Sequence, residues 1–203
     1  MKKVITIVFT FAMLLLCAFG VKAENKYKQN VPFEKVDFKK TKGLFEKEVI
    51  DYYKVDKKLY DSPLKEKKYK ESDEYAALVK KFENEQETAL GQTYEVSADF
   101  KDQYDLSKSN FTVKLPKDFG KKLVLKTNNP YFSKNMFTTP TIDEDTAYKI
   151  ELGKCKFIVV MKITGKIESN KLVCIPLQVI IRSKAGEDLF VYDVDGPANQ
   201  NNE

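Results

Sequence analysis

Two runs near the C-terminus, "KFIVVMKITGKIE" at 156–168 and "KLVCIPLQVIIR" at 171–182, place apolar residues at a period of two, the repeat of a strand and not of a helix. Phe157, Val159, Met161, Ile163 and Ile167 share one side of the first run; Val173, Ile175, Leu177, Val179 and Ile181 share one side of the second. Opposed residues of an antiparallel pair point to the same face, and a slip of one residue would turn a whole apolar set to water. Odd must therefore pair with odd. A three-residue turn, Glu168-Ser169-Asn170, meets that condition, because Asn170 tolerates the left-handed conformation. Phe157 then faces Ile181, Val159 faces Val179, Met161 faces Leu177 and Ile163 faces Ile175.

A third run, "DLFVYDV", extends the ribbon and sets Leu189 against Ile181 and Val191 against Val179. Pro176 falls where this strand runs out, so its missing N–H faces an unpaired edge. In this register Cys155 and Cys174 point to opposite faces, roughly 30 Å apart at strand rise. A disulfide needs Cα atoms within about 7 Å, so the two sulfurs should not meet within one protomer; small, partly buried free thiols are the expectation, and pairing between molecules or another register is the alternative. On the even face Ile158, Val160, Ile180, Phe190 and Tyr192 cluster at one end, which predicts cover there by a helix, while Lys162, Thr164 and Lys166 stay wet.

Upstream, Ser72 with Asp73, Glu74 and a terminal Gly91 marks a helix over 73–90, with Tyr75, Leu78, Val79, Phe82, Ala89 and Leu90 inward and Gly91 left-handed at its end. A second, over 142–152, is opened by a capping box of Thr141 and Glu144 and turns Ile142, Thr146, Ala147 and Ile150 inward. "TYEVSADF", "FTVKL" and "KLVLK" read as further strands of the sheet, and 127–141 as irregular. Residues 24–70 read as a lysine-rich arm holding one amphipathic helix at 44–60, followed by a linker, "DSPLKEKKYKE". The predicted fold is α+β: an antiparallel sheet of five or six strands with two or three packed helices and a C-terminal β-meander. It occupies 71–196 as one domain, with a disordered tail at 197–203.

Residues 1–23, with Lys2 and Lys3 ahead of an apolar run ending in Val21-Lys22-Ala23, read as a secretory signal cleaved after Ala23, leaving no transmembrane span. Removing Lys2, Lys3 and Lys22 from the 35 basic residues leaves 32 against 30 acids, so there is no general pull toward nucleic acid. Histidine is absent, which excludes Ser-His-Asp and Cys-His nucleophile systems and imidazole metal sites. No cofactor and no metal site is expected.

Local motifs have simpler structural readings. Ser62-Pro-Leu-Lys65 matches an S-x-x-K nucleophile motif but lies in the linker. Asp143, Glu144 and Asp145 suit a helix N-terminus. Asp193-Val-Asp195-Gly196 is half of a calcium loop at most, and Glu83, Glu85 and Glu87 read as a solvated face. Asn110-Phe-Thr112 is a glycosylation sequon. The candidate binding residues are Lys57, Lys58, Tyr60, Lys67, Lys68 and Tyr69, a basic and aromatic stretch suited to an anionic surface. The expectation is an exported, noncatalytic domain that binds a protein or an anionic component of a bacterial envelope, periplasmic or extracellular. The alternative is a carboxylate-dependent hydrolase of envelope polymer, which needs two acids about 5 to 9.5 Å apart in a cleft.

Overall fold

The computed structural model describes residues 24–98, 103–133 and 135–194. The predicted signal, Phe100, Asp195-Gly196 and the C-terminal tail lie outside the described residues. Among the described residues nine strands form two sheets: β1 Val31–Pro32, β2 Tyr94–Ala98, β3 Thr112–Lys114, β4 Leu123–Leu125, β5 Phe132–Ser133, β6 Met136–Thr138, β7 Lys156–Glu168, β8 Lys171–Arg182 and β9 Asp188–Asp193. The main sheet runs β1-β2-β7-β8-β4, with β9 also paired to β8. It is mostly antiparallel, with parallel pairs at β1–β2 and β4–β8. β7, β8 and β9 form the expected meander. β3, β6 and β5 make a small second sheet, so "FTVKL" leaves the main sheet and part of the irregular stretch 127–141 becomes its partners.

The β7–β8 hairpin begins in the predicted register, with Phe157 opposite Ile181 and Val159 opposite Val179. It then departs from it. Val160 pairs with Gln178 but Met161 pairs with Pro176, leaving Leu177 as an extra residue on β8. A proline supplies no ladder N–H, and a bulge is where a strand accommodates one. Beyond the bulge Ile163 lies opposite Cys174. Leu172 and Cys174 therefore turn into the core, while Ile175 and Leu177 are only half-buried. A second irregularity sets Thr164, Gly165 and Lys166 against Val173, and the turn is Ser169-Asn170 alone, both with positive φ (48° and 63°). Two left-handed residues match the twist of the flanking strands, so the predicted three-residue loop is not used.

β9 is also one step from its predicted register. Ile181 faces Phe190 and Val179 faces Tyr192, with a bulge before Arg182 meets Asp188. Phe190 and Tyr192 thus pack on the main core, and Val191 joins Ile158, Val160 and Ile180 on the other face. That face is covered by Tyr27 rather than by a helix. The segment carrying Tyr27 is tied down by Gln178, whose Nε2 donates to the Glu24 carbonyl at 3.0 Å, and by Asn25, whose Nδ2 donates to Asp188 at 3.1 Å. β4 and β9 share the edge of β8 opposite β7, and Pro176 lies in the gap between them, as its missing donor requires.

Six α-helices are present among the described residues: α1 Phe38–Glu46, α2 Val49–Tyr52, α3 Pro63–Lys70, α4 Asp73–Gly91, α5 Phe119–Lys122 and α6 Glu144–Leu152. α4 starts as predicted, the Ser72 hydroxyl accepting from the Tyr75 N–H at 3.2 Å. Gly91 does not take a positive φ; Gln92 continues straight into extended backbone, so the end needs no left-handed residue. α6 is capped by Asp143, which accepts from the Thr146 N–H at 2.8 Å, in place of the predicted Thr141 box.

The arm is folded. Phe33, Phe38 and Leu44 belong to the main core. The single helix expected at 44–60 is broken where Lys47 and Glu48 extend and where Lys54 turns left-handed (φ 53°). The expected linker is α3: Ser62 caps it, Pro63 occupies the first turn where no N–H is needed, and Lys70 pairs with Glu66 one turn back at 2.6 Å. Lysine and glutamate are good helix formers, so a charged stretch behind a proline can be a helix start.

α1 and α4 meet the sheet over the second β7 irregularity. A Cβ on Gly165 would stand 3.1 Å from the Phe45 ring and 3.3 Å from Leu90, so a glycine at φ +76° both permits the bend and lets the helices close onto the strand.

Candidate functional site

The sequence-predicted binding residues divide into two groups. Lys57 and Lys58 occupy a 3-10 turn, Lys57–Leu59, and Lys67 and Lys68 lie on α3; all four are exposed. Lys67 reaches Glu71 at 3.9 Å. Tyr60 and Tyr69 serve the interior of this excursion: Tyr69 is 7% exposed, stacks on Tyr60 at 6.5 Å and meets Tyr75 edge-on at 5.7 Å. Burial pushes the Tyr69 hydroxyl above its usual acidity range. Leu59 and Leu64 stand exposed beside the lysines.

A second feature was missed in the sequence. A groove of about 720 Å³ opens between α1 and α4. Its floor is Val36, Leu44, Ala89 and Tyr94, of which Leu44 and Tyr94 are 5% exposed. The Tyr94 hydroxyl is already spent on the Ala89 carbonyl at 3.2 Å, so the floor offers apolar surface rather than hydrogen bonds. One face of α4 forms a wall through Ala77, Lys80, Lys81, Asn84 and Thr88, residues that recur at helical spacing, with Gln92 just past its end. Lys35 and Lys40 border the opposite side.

Elsewhere lysines are often paired with acids three or four residues away, as in Lys42–Glu46, Lys65–Asp61 and Lys121–Asp118. Around the groove Lys35, Lys40 and Lys80 have no carboxylate within 4.0 Å among the described residues, and Lys81 stands 5.0 Å from the Tyr53 ring centre. Glu85, the one acid lining the groove among the described residues, is not the solvated side chain predicted. It accepts from the Tyr52 and Tyr53 hydroxyls, each at 3.1 Å. Burial, then the Glu85 hydrogen bond and charge, push the Tyr52 hydroxyl up to about 12, and the same causes raise Tyr53. The groove thus has an apolar floor under a cationic rim. The sequence signal was there in the small and cationic face of α4, which reads as ordinary solvated surface until α1 is placed beside it.

A smaller, polar hollow of about 540 Å³ lies between the Tyr27 segment and the start of β9, lined by Glu24, Glu95, Arg182 and Asp188 among others. Arg182 binds Asp188 through Nε at 2.6 Å, which commits that carboxylate to an ion pair. Asp188 and Asp193 act as acceptors for the N-terminal segment: Asn25 donates to the first and Lys26 to the second.

The remaining motifs take structural roles. Ser62 accepts from the Lys65 N–H as a helix cap, and the Lys65 ammonium pairs with Asp61 at 2.8 Å. Asp143 is the α6 cap. No group of three or more acidic or cysteine side chains able to hold a metal occurs among the described residues. Cys155 and Cys174 are both free and both buried in the main core, not on opposite faces. No helix among the described residues is long and apolar enough to cross a membrane. No protein-family model, curated protein or solved structure matches the chain.

Proposed function

We propose that the chain is an exported, noncatalytic binding domain of the bacterial envelope that holds its ligand between α1 and α4, with the exposed lysines around α3 as an auxiliary contact to anionic material. The observation that carries this reading is the apolar groove whose bordering lysines lack acid partners. Its size falls in the range of small-molecule sites, about 300–1,000 Å³. Histidine is absent from the sequence, and Glu85, the single acid in the groove among its described lining residues, is bound by two phenols. Both facts favour retention of a ligand over hydrolysis by a carboxylate pair.

The test is capture of envelope material by the purified protein, with bound molecules recovered and characterised. Ala77 is exposed on the groove wall, so Ala77→Trp fills the groove without touching the core. Loss of the captured molecule in that variant, and its recovery intact from the native protein, support the reading. Capture unaffected by Ala77→Trp, or recovery of the molecule in cleaved form, overturns it. Charge reversal of Lys57, Lys58, Lys67 and Lys68 should weaken adsorption to anionic envelope material; unchanged adsorption removes the auxiliary contact.

A further inference from the structure

The groove also specifies what class of ligand it takes, an inference that rests on the binding reading above. We infer that its occupant is a single-chain amphiphile with one anionic head group, an alkyl chain ending in a carboxylate or an equivalent oxyanion. The floor of Val36, Leu44, Ala89 and Tyr94 offers apolar surface, the Tyr94 hydroxyl being used internally, and of the polar side chains on the walls Thr41, Thr88 and Gln92 already donate to the Asp37, Asn84 and Thr93 carbonyls, which leaves little to meet a sugar or a peptide backbone. An alkyl chain asks for nothing else, and its burial is favourable in proportion to the apolar area removed from water. Lys35, Lys40, Lys80 and Lys81 line the groove and are exposed, and a lysine in such a place lays its stem along apolar surface while its charge stays in water.

The rim sets the sign of the head group. Four lysines and one glutamate line the groove; the Glu85 carboxylate is already bonded to Tyr52 and Tyr53, and Lys81 stands over the Tyr53 ring, which leaves Lys35, Lys40 and Lys80 as unpaired cations among the described residues. A neutral amphiphile would leave the rim unused, and a cationic one would be repelled by it. A soluble anion without a chain would find exposed lysines, which hold small anions weakly and lose them to salt. Only the combination of chain and anion uses both parts.

The experiment is calorimetric titration of the purified protein with dodecanoate below its micelle concentration, beside acetate and dodecyltrimethylammonium. Dodecanoate should saturate one site, acetate should show no binding, and the cation should bind about tenfold more weakly or worse. Lys40→Glu with Lys80→Glu, both exposed positions, should weaken dodecanoate about tenfold, as two exposed ion pairs allow, and Ala77→Trp should abolish binding. Equal affinity for the cation, or no effect of the two glutamates, overturns the anionic head group and leaves the groove reading standing. Absence of dodecanoate binding, with envelope capture still abolished by Ala77→Trp, overturns the ligand class alone. Dodecanoate binding that survives Ala77→Trp overturns the site itself and the proposed function with it.

Discussion

Ile163 of β7 lies opposite Cys174 of β8, whereas Phe157 at the other end of the same hairpin lies opposite Ile181. The partners' numbers do not sum to the same value, because one residue of β8 has been absorbed at Leu177. That residue decides where the sulfur goes: Cys174 enters the main core with Cys155. The two thiols are nevertheless about 25 Å apart along the strand, eight residues at strand rise. Burial pushes the Cys174 thiol up to about 12 and also raises Cys155. Folded protein should therefore show both cysteines reduced by intact mass, with Cys174 unmodified by iodoacetamide at neutral pH and both labelled in denaturant. An internal cystine joining them in monomeric protein is incompatible with this strand pairing.

Gly165→Ala should destabilise by about 1–2 kcal/mol from its left-handed backbone alone, with an added cost from the Phe45 ring 3.1 Å from the new Cβ. Gly186 supplies the control. Its φ is also positive (+89°), yet a Cβ there meets nothing within 4 Å. Urea midpoints should fall further for Gly165→Ala than for Gly186→Ala at constant denaturant slope; equal shifts would mean that α1 and α4 do not close onto β7 at that point.

Tyr52 makes the alkaline limb of stability specific. Its folded pKa of about 12 exceeds the ordinary value of 10.0, so between these the folded state holds a proton that the unfolded chain has lost. Stability supplied by this group is complete below about pH 10 and declines as pH rises toward 12. Cys174, raised from 9.0, acts in the same direction from about pH 9 upward. Glu85→Gln removes the carboxylate's contribution but leaves burial, the larger cause, in place. Spectrophotometric titration of tyrosinate should show Tyr52 ionising at lower pH in that variant than in the native protein, and still above an ordinary tyrosine.

The helix caps discriminate between two readings of the same sequence. Ser72→Ala and Asp143→Ala should each cost about 1 kcal/mol, and Thr141→Ala much less, because Asp143 holds the Thr146 N–H. That hydrogen bond also holds the Asp143 carboxyl below the usual range. Its contribution is therefore present above the unfolded carboxylate value, about 3.9, and is lost as pH falls through the folded one. Thermal melts at neutral and acidic pH test both statements: the deficit of Asp143→Ala should shrink in acid, while that of Ser72→Ala should not.

The helix behind Ser72, the strands at β2, β7, β8 and β9, and the helix before Gly153 were legible because each depends on a local signal: a cap, a change of period, an alternating apolar run. The α3 helix was not, since its lysines resemble a linker in composition, and only Ser62 and Pro63 announce it. The break of the 44–60 segment was equally hidden. Its apolar spacing suits one helix, but Leu44 and Ile50 are both buried across an extended break at Lys47 and Glu48, and Lys54 turns left-handed after them. Of the predicted contact residues, Tyr60 and Tyr69 turned inward because their rings found each other and Tyr75.

By itself the sequence determined the fold class, the meander and the face that β7 turns to the core, since alternation at a period of two is written residue by residue and needs no partner to be read. Tertiary structure alone decided the bulge at Leu177, the side on which Cys174 is buried, the cover of the second face by Tyr27 and the groove between α1 and α4. Each of these depends on which surface arrives opposite which. A one-residue slip or a gap between two helices changes a strand's partners without changing any local propensity, so only the assembled chain can specify it.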